Sequence, residues 1–433
     1  MGTIRVEHLA RIEGHGGITV ELEGNEIRNV RFDIFEGARL LEGLVRGRSY
    51  EDVSQILSRI CAICSASHAL TSLKATEAAF GIEVSPQTVL LRDLLSLGES
   101  IESHALHLFC LAVPDYLGYT SVVALAGDKP GAAALGLRLK KLGNLVQETV
   151  GGRAVHPVNA IPGGFGRLPT LDQLVTLRQA LRQGAADAAA MLDLMASLPP
   201  AEFCRAETVF AGLLSAQDYS YYRGDQIAVL ANGRRETIAA ANYRALTNER
   251  TAPHSHAKHS FYHGRPVMVG ALARLATRRE ALDGRAGEAL ERLGLRLPSD
   301  NPMDNNKAQA VELAGDVQRA LALVERLLKE GLDQERCVPV VPRAGTGTAV
   351  TEAPRGLLFH SYTYDDEGRV VWADVITPTA LNAASIEEHL RVAVRQNAAS
   401  EPAALAQKLE MIARAYDPCV SCSVHLIRGS HAA

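Results

Sequence analysis

Alternating apolar and polar residues near the start of the chain predict a β-hairpin over residues 3–34. The alternation runs from Ile18 to Ile34 and is broken by a turn at Gly24. A period of two residues places one apolar face of such a hairpin against the core. A second alternating pair, separated by an acidic turn, predicts another hairpin at 356–376.

An apolar period of three to four residues predicts helices over much of the remaining chain. Ser49, followed by two acidic residues, is a typical helix start within 36–81, and the helical pattern there places Cys61 and Cys64 on one face. Further helices are predicted at 86–112, 170–198, 306–330, 383–397 and 402–416. We therefore predict an α+β protein that is mostly helical, with a central bundle of long helices and small peripheral β-hairpins and sheets.

The composition is that of an ordinary soluble globular protein, with 47% hydrophobic and 22% charged residues among 433. A net charge of −4 argues against nucleic acid as the main partner. No apolar run reaches the ~18 residues of a membrane-spanning helix, and the first residues do not form a charged-then-apolar leader. Seven cysteines, an odd number, fit a reducing compartment better than a disulfide framework. We expect a cytoplasmic protein.

Two Cys-x-x-Cys motifs lie near opposite ends of the chain, one at Cys61 and Cys64 and the other at Cys419 and Cys422. The spacing puts both sulfurs of a pair on one side of a turn or helix start. Four thiolates brought together would select a soft transition metal rather than Mg²⁺ or Ca²⁺. Three interpretations are open: a structural zinc site, a thioredoxin-like redox pair and a catalytic metal centre. Zinc sites usually draw both pairs from one small module, and no βαβ setting for a redox pair is visible.

Other patterns carry less information about chemistry. His104 and His107 interrupt the apolar side of the 86–112 helix and are interpreted as core histidines with polar partners. The polar segment 200–265 contains four histidines, at positions His254, His256, His259 and His263. Such a group can bind metal, but its uneven spacing favours an irregular loop with one or two buried histidines. The isolated cysteines are interpreted as small buried hydrophobic residues: Cys110, Cys204 and Cys337.

Both cysteine motifs extend into longer patterns. The first is Arg-x-Cys-x-x-Cys-x-x-x-His over 59–68, and the second is Asp-Pro-Cys-x-x-Cys-x-x-His over 417–425. Three further stretches accompany them, Arg11–His15, Ser103–His107 and Glu352–Gly356. Together these patterns resemble the large subunit of NiFe hydrogenases over essentially the full length. Within that family, the sequences of these stretches most resemble the alpha subunit of the cytosolic NADP-linked hydrogenases and sulfhydrogenases.

The resemblance implies one interwoven large-subunit domain over 1–433, in which the N- and C-terminal motifs meet at a metal site. Its expected parts are a β-rich 1–48, a helical core 49–200, a variable and helical 201–345, a β-hairpin with C-terminal helices and the metal motif in 346–425, and a cleavable tail 426–433.

The resemblance also implies the metals and their ligands. Glu42 and His425, with a backbone carbonyl near Ile376, would bind a Mg²⁺-like cation. A nickel ion with two terminal thiolates would share two bridging thiolates with an iron that carries cyanide and carbon monoxide. The terminal thiolates would be Cys61 and Cys419, and the bridging thiolates Cys64 and Cys422.

Catalytic roles are implied in the same way. Glu13 would pass protons outward from a nickel-bound cysteine. We prefer the Cys419 sulfur over Arg355 as the proton acceptor, because a guanidinium is effectively always protonated. The residues expected around the open metal position and the cyanide ligands are Arg355, paired with Asp115 and Asp417, and Thr379.

By this resemblance the chain catalyses reversible heterolytic cleavage of dihydrogen, with sulfur or polysulfide reduction as a further activity of such complexes. Electrons would pass to an iron–sulfur small subunit, which His156 would face, and then to a flavin- and NAD(P)-binding reductase. An endopeptidase and nickel chaperones would act in maturation. The alternatives are a regulatory hydrogen sensor and, less favoured, a structural zinc protein. Quinone-reducing subunits of the complex I type lack the four cysteines.

Overall fold

A computed structural model describes residues 2–24, 26–37, 40–215, 219–282 and 284–424. The strands are β1 (Gly2–Val6), β2 (Gly16–Glu23), β3 (Glu26–Ile34), β4 (Ala160–Ile161), β5 (Gly164–Phe165), β6 (Val209–Leu214), β7 (Gln226–Ala231), β8 (Arg234–Ala239), β9 (Arg250–Ala252), β10 (Ser255–His259), β11 (Phe261–Tyr262), β12 (Arg265–Met268), β13 (Gly345–Ala353), β14 (Gly356–Tyr364) and β15 (Val370–Ile376).

The α-helices are α1 (Leu41–Val45), α2 (Tyr50–Leu57), α3 (Ser65–Phe80), α4 (Pro86–Leu106), α5 (Val113–Tyr116), α6 (Val122–Asp128), α7 (Pro130–Gly151), α8 (Leu171–Ser197), α9 (Ala271–Thr277), α10 (Gly284–Arg292), α11 (Asp304–Glu330), α12 (Pro378–Gln396), α13 (Pro402–Ala415) and α14 (Val420–Ser423). Short 3-10 turns and one π-helical segment complete them: Ser58–Ile60, Ala240–Ala245, Arg279–Ala281 and the π-helical His107–Ala112.

The first sheet has the strand order β1-β2-β3-β10-β9. The hairpin predicted over 3–34 is its β2–β3 pair, in which Ile18 lies opposite Phe32 and both are fully buried. β10 joins β3 in parallel, with Ser255 opposite Ile34. Because this pairing joins distant parts of the chain, local alternation could not predict it.

The second sheet, in the order β11-β12-β6-β7-β8, occupies much of the segment expected to be irregular or helical. That expectation is wrong for 209–268. β7 is buried at Ile227 and Val229, whereas β8, at one end of the strand order, is exposed from Arg234 to Thr237. Exposed charged residues on such an edge strand obscure the alternation that marks a half-buried strand.

The third sheet, β13-β14-β15, confirms the predicted hairpin at 356–376 and adds a strand before it. β14 is buried along almost its whole length, and α3 lies directly on β13. A Cβ at Gly345 would lie 2.6 Å from the Ala79 carbonyl oxygen, and one at Gly347 would overlap the Ala75 carbonyl oxygen. Two glycines therefore allow the helix backbone to touch the strand.

Long helices pack beside these sheets, with α4 against α7, α8 against α11, and α11 also against α4. The stripe predicted on α11 is buried at Leu313, Val317 and Val324 and half-buried at Leu321 and Leu328. In the part of the chain that the structure describes, no helix is long and apolar enough to cross a membrane. The chain is a mixed α/β protein with larger sheets than the small peripheral hairpins that were expected.

Candidate metal centre

Four cysteine side chains from the two ends of the chain lie together in the interior. The Sγ atoms of Cys61 and Cys419 are 3.3 Å apart although 358 positions separate the residues. Cys422 Sγ lies 2.9 Å from Cys419 Sγ and 3.9 Å from Cys64 Sγ. All four side chains are buried and none forms a disulfide. The structure thus brings the two motifs together, as the sequence predicted.

The N-terminal pair lies between two helices rather than on one helical face. α2 ends at Leu57, the 3-10 turn Ser58–Ile60 follows, and Cys61 is extended, with φ −142° and ψ 144°. Cys64 is the N-cap residue of α3, and its N–H donates to Cys61 Sγ at 3.4 Å. The predicted helical face shared by Cys61 and Cys64 is therefore wrong, because the turn and the extended residue separate α2 from α3, whereas the predicted helix start is present at Cys64.

The C-terminal pair lies at the start of α14, with Cys419 as its N-cap residue and Cys422 within the helix. Asp417 adopts a positive φ of 53°, a conformation that Asp tolerates better than most residues. The Cys419 N–H donates to the Thr379 hydroxyl oxygen at 2.9 Å, and the Val420 N–H donates to the Glu13 carbonyl at 2.9 Å. α12 and the N-terminal loop, which joins β1 to β2, therefore hold the backbone at Cys419 and Val420 from two sides.

The four thiols cannot all ionise in a buried space unless a cation compensates the charge. Hydrogen bonding with Cys419 lowers the pKa of Cys61 well below its ordinary value, whereas burial raises the pKa of Cys422 to about 11. A thiophilic ion would displace the remaining protons, because its charge stabilises thiolates. The donor set therefore fits nickel, iron or zinc and does not fit Mg²⁺ or Ca²⁺.

Glu13 lies against the C-terminal pair. Its Oε2 accepts hydrogen bonds from the Cys419 thiol and the Ser421 N–H, both at 3.1 Å, and the Ser421 hydroxyl donates to Oε1. Gly14 has a φ of +86°, and a Cβ there would lie 2.9 Å from the Ser421 nitrogen. Glycine at this position therefore lets the loop approach α14, which places the Glu13 carboxyl within hydrogen-bond distance of a cysteine sulfur.

Arg355 forms a buried ion pair with Asp417. Its Nε donates to the Asp417 carbonyl at 2.7 Å and its Nη2 to Oδ1 at 2.8 Å, while Nη1 lies 3.3 Å from the Ser103 hydroxyl. Burial opposes the charge, but the Asp417 carboxylate and the Cys419 sulfur raise the pKa of Arg355 well above its ordinary value. The cysteine cluster therefore has a fixed cation beside it.

Asp115 does not make the predicted pair with Arg355. Its Oδ2 accepts from Arg414 Nε at 2.7 Å, and its Oδ1 accepts from both Arg414 and Arg11. The reason is geometric: α5 directs Asp115 toward the N-terminal loop and the end of α13, and Arg355 is already bound to Asp417. Asp115 instead joins that loop to α13.

His104 and His107 have polar partners, in line with their interpretation as core histidines. His104 Nε2 lies 2.8 Å from Glu312 Oε2. His107 is hydrogen-bonded to Gln309, whose amide nitrogen donates to Asp417 Oδ2 at 3.2 Å. The sequence analysis did not identify Gln309. The signal that could have indicated it is a polar residue within the buried apolar stripe of α11.

Glu99 is a second residue that sequence reasoning missed. It is fully buried on α4, and its carboxylate accepts from the Ala66 N–H at 2.6 Å and the Ser67 N–H at 2.9 Å. Burial raises the pKa of Glu99 to about 8. The carboxyl thus holds the first turn of α3 directly after Cys64. An acidic residue within the apolar pattern of 86–112 is the signal that could have indicated it.

Glu42 lies beside the cysteine cluster as well. Its Oε1 accepts the Val375 N–H at 2.7 Å, and it lines a small cavity together with Val375, Cys422 and Val424. His425, its predicted partner as a cation ligand, and the predicted tail lie outside the described residues.

Comparison with known proteins identifies relatives over nearly the whole chain. The family described as nickel-dependent hydrogenase matches residues 39–174 and 212–425, and one described as HoxL-like matches residues 3–36. The chain is 37% identical to Sulfhydrogenase 1 subunit alpha of Pyrococcus furiosus over 431 residues, covering 98% of each protein. It is also 37% identical to Sulfhydrogenase 2 subunit alpha of the same organism, covering 98% of this chain and 99% of that one.

Solved structures show the same fold. An NAD+-reducing NiFe hydrogenase in the dihydrogen-reduced state matches with a TM-score of 0.89 and 26% identity, covering 98% of this chain and 100% of that one. A Ni-Fe-Se hydrogenase from Desulfomicrobium baculatum matches with a TM-score of 0.78 over 98% and 100%, and its 22% identity supports the fold alone. The family match over most of the chain and relatives of 37% identity establish that this chain belongs to the nickel-dependent hydrogenase family, as a large catalytic subunit.

Proposed function

We propose that this hydrogenase subunit cleaves dihydrogen reversibly and heterolytically at the four-cysteine cluster. The observation that carries the proposal is the convergence of four buried sulfurs from both ends of the chain. Cys61 and Cys419 would bind nickel alone, and Cys64 and Cys422 would bridge it to an iron carrying cyanide and carbon monoxide. When bound, this pair of metals would supply the redox-active acceptor for the electrons of dihydrogen.

Cys419 and Glu13 are the proposed first two proton carriers. Dihydrogen is a very weak acid, so its heterolysis needs a base beside the metals. The Cys419 sulfur can accept the proton and pass it to Glu13 Oε2, which lies 3.1 Å away. Arg355 is a poor base because its guanidinium keeps its proton. From Glu13 the proton would move outward.

Arg355 and Thr379 are proposed to orient the iron's ligands. The bonds to Asp417 fix the Arg355 guanidinium, which could then donate a hydrogen bond to one cyanide nitrogen. The Thr379 hydroxyl oxygen accepts the Cys419 N–H, so its own proton remains available to a second cyanide. Asp115 would act indirectly, by fixing the side chains of Arg11 and Arg414.

Electrons are proposed to leave through a partner subunit that carries iron–sulfur clusters. The apolar side chains of Val155 and Val158 are 40% and 44% exposed, on either side of His156. His156 Nδ1 lies 3.1 Å from the carbonyl of Ser58, close in sequence to Cys61. This surface fits a small subunit, and a flavin- and NAD(P)-binding reductase would accept the electrons beyond it. The sulfhydrogenase relatives support sulfur or polysulfide reduction as a further activity of the complex.

Maturation is proposed to involve the C-terminus and a second cation. Glu42, His425 and a backbone carbonyl near Ile376 would bind a Mg²⁺-like ion once a specific endopeptidase has cut after His425. Nickel chaperones would load the cysteines before that cut. Mass spectrometry of active enzyme should find the chain ending at His425, and an active chain ending at Ala433 would refute this step.

Dihydrogen-dependent reduction of a viologen dye and of NADP+ by the chain purified with its partners tests the proposed function. Cys422→Ser should abolish both reactions, because one bridging thiolate is lost. Cys204→Ser is the matched control, since Cys204 is also buried but bonds the His389 carbonyl. Activity that persists in Cys422→Ser would refute the proposal. Dye reduction without NADP+ reduction would favour the regulatory sensor.

A further inference from the structure

Three side chains that could hold an ion lie together outside the cysteine cluster: His254, His259 and Glu387. One potential ligand atom of each lies within 4.8 Å of the other two. His254 directly precedes β10, His259 ends it, and Glu387 lies on α12. The uneven spacing of these histidines favoured an irregular loop, but β10 packs on α12 and brings both rings to one carboxylate.

The ring of His259 is buried. Its exposure is 8%, and among the described residues nothing pairs with its Nε2. An unpaired buried polar atom destabilises the folded state. The Nδ1 atom of His259 lies 3.9 Å from Glu387 Oε2, which is too far for a hydrogen bond. Two polar groups thus face each other closely without bonding, as two ligands of a common ion would.

A simple ion pair explains only part of this arrangement. His254 Nε2 lies 2.5 Å from Glu387 Oε1, which also accepts the Phe32 N–H at 3.0 Å. A protonated His254 would therefore satisfy Oε1 but would leave His259 Nδ1 and Glu387 Oε2 3.9 Å apart, without a hydrogen bond between them. An ion bound by His254, by the Nδ1 of His259 and by Glu387 accounts for the close approach of these three side chains.

We propose that His254, His259 and Glu387 form a separate site for a divalent transition-metal ion of the Zn²⁺ type. Two imidazoles and one carboxylate suit zinc and its first-row neighbours, whereas Mg²⁺ and Ca²⁺ prefer oxygen ligands. The His254 side chain is 22% exposed, so an ion has an approach from solvent and a water can complete its coordination. The site contains no sulfur and does not depend on the proposed function of the cysteine cluster.

The position of the site gives the ion a structural role. Ala257, in the middle of β10, forms a β-bridge with Val424, which follows the last cysteine motif. α12 begins with the turn that carries Thr379, the hydrogen-bond acceptor for the Cys419 N–H. An ion linking β10 to α12 would therefore tie together two elements that hold the C-terminal cysteine segment.

The test is the binding of Co²⁺, a spectroscopic substitute for Zn²⁺, to the purified complex after dialysis against a chelator. Wild type should bind one equivalent more than His259→Asn. The absorption of that equivalent should lack a thiolate-to-cobalt band, which distinguishes it from any ion on the four cysteines. His256→Asn and His263→Asn are matched controls, because both rings are exposed outside the cluster, and both should keep the extra equivalent.

Stability measurements keep the test decisive if a variant folds poorly. Added Zn²⁺ should raise the melting temperature of dialysed wild type and of His256→Asn, and it should leave that of His259→Asn unchanged. Equal Co²⁺ stoichiometry in wild type and His259→Asn would overturn the proposal, as would bound Co²⁺ that shows only thiolate coordination. Neither result would bear on dihydrogen cleavage at the cysteines.

Discussion

At the scale of single residues, the chemistry of the site depends on which side chains lie beside the four sulfurs. Glu13 accepts a hydrogen bond from the Cys419 thiol, whereas Arg355 carries a fixed positive charge and is held by Asp417. The sequence motifs located all four residues, because each lies in one of the stretches that resemble the family. They could not reveal that Asp115 pairs with Arg11 and Arg414, since partner choice among buried charges depends on the direction of α5.

Glu13→Gln tests the proton route. Glutamine is nearly the same size and can still accept the Ser421 N–H, but it cannot take a proton from Cys419. We expect turnover to fall about 10²–10⁴-fold, the usual contribution of a positioned acid or base. Steady-state dihydrogen oxidation together with metal content measures this, and the metals should stay unchanged. Glu23→Gln, which alters an exposed carboxylate paired with Arg28, should leave turnover intact.

Turnover in Glu13→Gln within twofold of wild type would show that protons leave by another route. A parallel loss of nickel would instead show that Glu13 acts by holding the C-terminal turn.

At the scale of elements, periodicity located both hairpins and most of the long helices, but it missed α7 (Pro130–Gly151) and the strands between 209 and 268. Among those strands β8 is exposed and polar, and β10 and β12 pair with the distant strands β3 and β6, so that a local pattern does not contain their partners. The bounds near the cysteines were also unpredictable. The 3-10 turn Ser58–Ile60 ends the helical pattern one residue before Cys61, and the Glu99 carboxylate holds the next helix from outside it.

Gly347→Ala tests the close contact between α3 and β13. A methyl group there would overlap the Ala75 carbonyl oxygen, so the helix that begins beside Cys64 must move. We expect a loss of about 1–3 kcal/mol in the free energy of unfolding, measured by urea denaturation. Gly287→Ala on α10 is the control, because its Cβ meets no atom within 4 Å and should cost nothing. Equal stability of the two variants would contradict the packing described.

His389 predicts how stability depends on pH. Its ring lies between the Tyr416 hydroxyl and the Thr208 hydroxyl, and burial lowers the pKa of His389 to about 4. The unfolded chain, with a pKa of about 6.5, therefore binds the proton first as pH falls. Stability contributed by the neutral ring is complete above pH ~6.5 and is lost as pH drops toward ~4, by at most about 3 kcal/mol.

His389→Gln can keep both hydrogen bonds but does not titrate. Urea unfolding at a series of pH values should therefore show a shallower acid slope for this variant than for wild type. His263→Gln, at an exposed ring, should retain the wild-type slope. An unchanged slope in His389→Gln would mean that other groups cause the acid sensitivity.

At the scale of the whole molecule, the central feature is that opposite ends of the chain meet. The family resemblance carried by the two cysteine motifs made that meeting predictable, whereas the Cys-x-x-Cys spacing alone left a zinc site and a redox pair open. The route by which the ends meet was not predictable, since it depends on contacts among distant segments. Glu13 pairs with Cys419, Ala257 pairs with Val424, and the hydroxyl of Thr379 holds the turn between the two cysteines and α13.

Metal analysis of the purified mature chain is the most direct test of this account. We predict nickel and iron in equal amounts, one of each per chain, for wild type and for Cys204→Ser, and loss of nickel in Cys422→Ser. Zinc as the sole metal on the four cysteines, or undiminished nickel in Cys422→Ser, would contradict it.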